Sequence, residues 1–136
     1  MSSLEWRGVV ASGSLWTMVY NLLWGIAWFA FMRTEWMAAA AAAKRPMPFT
    51  AEAWFGAVVM SVLIGIAIMA HSRGRGRSAP KAAVAATVLV WILMTVGMFI
   101  WGVQSSFPLR TLAIDSTVNL LAMGAAALVA GWSQLD

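Results

Sequence analysis

Asp115 is the one acid that lies well inside an apolar run, with Thr111 four residues before it and Asn119 four after. Residues four apart share one side of a helix, so the carboxylate and the carboxamide face the same way, and Ala122 and Ala126 roughly continue that face. Gly13, Thr17, Asn21 and Gly25 form a second small and polar stripe nearer the amino terminus. The economical arrangement packs the two stripes together, so that Asn21 bonds across to Asn119 or Asp115. In such a setting Asp115 can accept a proton or bind a cation, with Asn21 and Asn119 completing the site. The competing reading is an interhelical hydrogen-bond anchor, or a partner for a snorkelling arginine. Arg110 is the candidate partner, about 7–8 Å away along a helix axis.

Aromatic rings supply the second candidate chemistry. Of nine tryptophans, Trp16, Trp24, Trp28 and Trp91 lie deep within apolar runs, and Trp24 and Trp28 share a helix face. Together they could wall a pocket for a flat apolar molecule such as a quinone, a pigment or a lipid-like compound. Filling space between helices is the simpler alternative. Trp6, Trp36, Trp54, Trp101 and Trp132 fall near the ends of the runs, where an indole is stable at headgroup level. The single histidine, His71, has no second ligand to hold haem, and Met94 and Met98 lack the clustering expected of a copper(I) site. No metal site is expected and the cofactor is unknown. No catalytic constellation is present: there is no histidine-paired serine, no paired carboxylate within a run and no phosphate loop.

These residues need elements to hold them, and the composition says which. The chain has 136 residues, 62% hydrophobic and 10% charged, with no cysteine. Its mean hydropathy is +0.80. A soluble domain carries about 25% charged residues, so a soluble enzyme, a disordered segment and a disulfide scaffold are all excluded. Four continuously apolar runs, about 9–32, 53–70, 82–103 and 111–132, each approach or exceed the ~20 residues needed to cross hydrocarbon as a helix. They do not alternate, which excludes a membrane β-barrel. The first run is also longer than the usual ~7–15-residue signal-peptide core, and it reads as a span. The expected fold is all-α: a single polytopic membrane domain, four transmembrane helices in a compact, tryptophan-rich bundle.

Local signals place the helix ends. Thr50 can cap the second helix with Glu52 in its first turn, and Pro80 suits the first position of the third. Ser105 and Ser106 before Pro108 repeat that logic ahead of the fourth. The long first connection, 33–48, holds six alanines (Ala38 to Ala43) before Lys44-Arg45-Pro46. Alanine favours helix and proline must end it, giving either an extension of the first helix or a short surface helix with Trp36 at headgroup level.

Charge gives topology and partners. The net charge of +4 would suggest nucleic acid in a soluble protein. Here the cations flank apolar runs, and no nucleic-acid partner is expected. The cluster Arg73, Arg75, Arg77 and Lys81 reads as a topology signal and a contact for anionic headgroups. Counting Lys and Arg puts five on the side of the termini (Arg7 and that cluster) against four on the other (Arg33, Lys44, Arg45, Arg110). This favours both termini in the cytoplasm. Ala57, Ser61 and Gly65 form a small-xxx-small ladder for close helix contact, within or between subunits.

Two patches carry a family resemblance. Gly25-Ile26-Ala27-Trp28-Phe29 with Trp36 beyond, and Leu112-Ala113-Ile114-Asp115 with Gly124 and Trp132 beyond, resemble an uncharacterised family of small four-helix bacterial inner-membrane proteins defined by a domain of unknown function. Thr117 and Val118 stand where that family has a glycine and a tyrosine. The resemblance implies a bacterial inner membrane and no particular activity.

The expectation from the residues is a non-enzymatic integral membrane protein acting through intramembrane helix contacts. It would be an accessory subunit of a larger complex or a homo-oligomer, with lipids and other subunits as partners. The alternative is a carrier or binder of an apolar ligand, using Asp115, Asn119, Asn21, Trp24, Trp28, Trp91 and Arg110.

Overall fold

The computed structural model describes residues 2–135. Five α-helices follow one another: α1 (Ser3–Ala27), α2 (Arg33–Ala43), α3 (Ala51–Ser72), α4 (Ala79–Gln104) and α5 (Leu109–Trp132). A π-helical turn, Trp28–Met32, joins α1 to α2 without a break, so the first helical rod includes the alanine run. The four rods Glu5–Ala43, Ala51–Ser72, Gly76–Gln104 and Leu109–Trp132 are long and apolar enough to cross a membrane.

The ends have local causes. At the start of α1 the Ser2 hydroxyl accepts from the Glu5 amide (3.3 Å) while the Glu5 carboxylate accepts from the Ser2 amide, a reciprocal capping box. Thr50 caps α3 by accepting from the Ala53 amide (3.2 Å), with Glu52 in the first turn as its sequence suggests. The alanine run stops at Lys44, whose φ of 52° is left-handed. The Arg45 and Lys44 amides then bond the carbonyls of Ala40 and Ala41, a Schellman stop followed by Pro46. The same motif ends α4: Ser106 has φ 63°, and the Phe107 and Ser106 amides bond Gly102 and Val103. Ser105 and Ser106 therefore finish α4 instead of capping α5, and Pro108 occupies the cap position ahead of α5.

The rods form a ring in which α1 packs on α3 and α5, and α4 packs on α5 and more lightly on α3. At the end that holds both termini the ring is closed by small residues. A Cβ on Gly65 would lie 2.7 Å from the Gly13 carbonyl oxygen, and one on Gly131 2.7 Å from Pro80 Cα, so only glycine permits these approaches. Val9, Met69, Ala83, Met123, Ala126 and Ala130 fill the space between. Gln134 finishes this end. Its amide nitrogen donates to Ser12 Oγ and the Met69 carbonyl (both 3.1 Å), and its Oε1 accepts from the Ser72 hydroxyl (2.8 Å).

Candidate functional site: an aromatic chamber beside a buried carboxylate

The opposite end of the ring is built from rings of another kind. Along the first rod Trp16, Tyr20, Trp24, Trp28, Met32 and Trp36 recur at every fourth residue, and all but Tyr20 are buried. An ideal helix would let such a series drift by about 40° per step. The π turn, marked by the Arg33 amide bonding the Trp28 carbonyl five residues back, takes up part of that drift and keeps Trp36 facing inward. Trp36 is 1% exposed, so it lies in the core and not on the surface at headgroup level.

The rings assemble around the connection between α2 and α3. Trp24 stacks on Trp28 (centroids 5.4 Å, 15°), and Trp54 meets both edge-on at 5.0 and 5.2 Å. Phe49 sets its edge against Trp28 (5.0 Å) and Trp36 (5.1 Å). These are favourable geometries for aromatic pairs, but rings packed edge to face leave gaps that small side chains would not. The result is a chamber of about 360 Å³. Trp24, Trp36, Phe49 and Trp54 wall one side, and Met94, Met98 and Trp101 of α4 the other. At its rim Ala53 and Ala57 of α3 are exposed, as are Met94 and Trp101 of α4, so the mouth opens between α3 and α4.

A polar chain forms the inner wall. The Tyr20 hydroxyl donates to Asn119 Oδ1 (2.7 Å), Asn119 Nδ2 donates to Asp115 Oδ1 (2.6 Å), and Trp36 Nε1 donates to Asp115 Oδ2 (2.8 Å). Asp115 is 3% exposed. All its side-chain partners are neutral, and each carboxylate oxygen retains a free lone pair.

Some residues singled out from sequence meet here and others do not. Asp115, Asn119, Asn21 and Trp24 line the chamber. Asn21 does not bond to Asn119 or Asp115. Its amide donates to Ser61 Oγ (2.9 Å) and the Thr17 carbonyl, because the Gly13-Thr17-Asn21 stripe faces α3 and not α5. Trp28 stands behind Trp24 as support. Trp91 turns towards α5, donating to the Ser116 carbonyl (2.8 Å) beside a small adjoining void. Arg110 is on the surface, 3.7 Å from Glu35, and does not pair with Asp115. The contacting part of the ladder, Ser61 and Gly65, meets α1 of the same chain, while Ala57 is exposed at the chamber rim.

Arg75 donates to the His71 carbonyl, and Arg73 lies against Gly8. Arg77 and Lys81 flank a shallow groove with Trp132. His71 is exposed, and among the described residues no group of three or more His, Asp or Glu could hold a metal ion.

Sequence reading passed over Tyr20, Trp36, Phe49 and Trp54 as site residues. The unbroken four-residue series from Trp16 to Trp36 was the available signal for the first two; nothing local marks Phe49. No family model, curated protein or solved structure matches the chain.

Proposed function

We propose that this chain is a multi-pass integral protein of a bacterial inner membrane, with both termini cytoplasmic, that binds a small molecule with an apolar body in the chamber beside Asp115. The observation that carries this reading is the chamber itself. A 360 Å³ recess that opens between α3 and α4 and is lined by aromatic rings and one buried carboxylate joins an apolar wall to a placed polar group, as ligand sites do.

Several features support the membrane setting. Many large apolar side chains are exposed on the outside of the bundle, among them Phe29 (82% exposed), Met18 (69%) and Leu121 (68%), a surface suited to lipid. The five-to-four Lys/Arg count supports the orientation. The resemblance of the Trp28 and Asp115 patches to the small four-helix family supports the inner membrane. The helix-contact role, as an accessory subunit or homo-oligomer, draws less support, because Ser61 and Gly65 already serve a contact within the chain.

The test uses the protein in lipid nanodiscs, dialysed to equilibrium against protein-free discs. The probes are 1-methylnaphthalene and its positively charged isostere 1-methylquinolinium. At least one should be retained by the protein, and Ala57→Trp, which fills the mouth, should abolish that retention. Equal retention by wild type and Ala57→Trp, or none by either, would overturn the chamber as a binding site.

A further inference from the structure

Resting on that reading, we infer that the chamber is selective for charge: its ligand is an organic cation, an aromatic or aliphatic body bearing an ammonium-type charge, held against Asp115 and the surrounding ring faces.

Three observations converge. First, the carboxylate lacks a cationic partner. Its side-chain hydrogen bonds come from Trp36 and Asn119, both neutral, and the nearest arginine in sequence, Arg110, is engaged with Glu35 on the surface. A buried carboxylate held only by neutral donors is a costly arrangement, and a positive charge is its natural complement. Second, the titratable side chains lining the chamber are Asp115 and the Tyr20 phenol; no base and no second acid lines it. Any charge its wall carries is therefore negative. Third, five aromatic rings, Trp24, Trp36, Phe49, Trp54 and Trp101, stand in the wall beside Met94 and Met98, and the faces of such rings carry the negative side of the aromatic quadrupole. Indole faces are the strongest cation-π surfaces among side chains. The carboxylate and any ring face turned to the chamber thus favour the same sign of charge, and the rings accept the hydrocarbon body as well. A small inorganic cation would have to give up a tightly held hydration shell to reach such walls, whereas a delocalised or alkylated cation loses little water on entering.

The discriminating experiment adds a third probe, naphthalene-1-carboxylate, to the charged and neutral pair in the same nanodisc dialysis. The cation should bind at least about tenfold more tightly than 1-methylnaphthalene, since a unit charge ~5 Å from Asp115 is worth more than that factor even at an effective dielectric near 20. The anion should be excluded. Asp115→Asn should cut the preference for the cation to the small part that the ring faces supply, and Asp115→Glu should keep it in full. The wild-type comparison decides even where Asp115→Asn fails to fold. Neutral probe bound as tightly as cation in the wild type would overturn the charge assignment and leave the chamber as a binding site. A preference for the cation that survives Asp115→Asn undiminished would overturn Asp115 as its source. Retention of none of the three probes would overturn both readings.

Discussion

The two ends of the bundle use the same four rods and solve packing in opposite ways. At the end that holds the termini, glycine, alanine and serine let backbones touch: Gly13 on Gly65, Gly131 on Pro80, and Ala126 and Ala130 in the interior. At the other end, indole and phenyl rings hold the rods apart, and they meet edge to face around a void. The closed end is a clamp with little room to yield. The open end owes its shape to side chains, so it can be altered without unmaking the bundle. That division lets one small chain be both stable and hollow.

Breaking the clamp should have the largest effect. Gly65→Val places a Cβ against the Gly13 carbonyl, a backbone atom that cannot rotate aside, and should destabilise the protein by about 3 kcal/mol. Thermal melting in detergent reads this. Gly97→Ala is the matched control, since nothing lies within 4 Å of a Cβ there, and its melt should not fall. Similar melts for the two variants would mean that the closed end is not tight.

At the open end Trp36→Phe keeps a ring against Phe49 and Phe107 but removes the N–H that Asp115 Oδ2 accepts, together with part of the buried indole volume. The lost hydrogen bond to a buried charge and the small cavity left behind should together cost about 2–3 kcal/mol. Chemical denaturation would show it, and an unchanged midpoint would mean that Asp115 finds another donor. The smallest effect sharpens the picture of the closed end from within. Thr87 is fully buried and its hydroxyl has no partner, so Thr87→Val should raise stability by about 1 kcal/mol. A loss instead would reveal a hydrogen bond that the clamp depends on.

Much of the fold was legible because its causes are local. Apolar runs of sufficient length, Thr50 at a helix start and Pro46 after the alanines each act within a turn of the residues concerned. The site was legible only in part. Asp115 and Asn119 share a face because they are four residues apart on one helix, and their bond follows from that spacing. Asn21 was assigned to the wrong neighbour. Helical spacing tells which residues share a face, but it does not say towards which other helix the face turns. Trp36 was read as a surface anchor since it lies beyond the first apolar run; the π turn, which a propensity scale does not register, carries it inward.

Hydropathy, helix length and caps were written in the amino-acid order, since each depends on residues within reach of one another along the chain. The chamber was not. Trp36 and Asp115 are 79 positions apart, and their bond exists only through the rotation of each rod about its own axis. Those rotations are set by the glycine contacts at the far end and by the rings that crowd the near one, a sum over the whole bundle that no single segment contains.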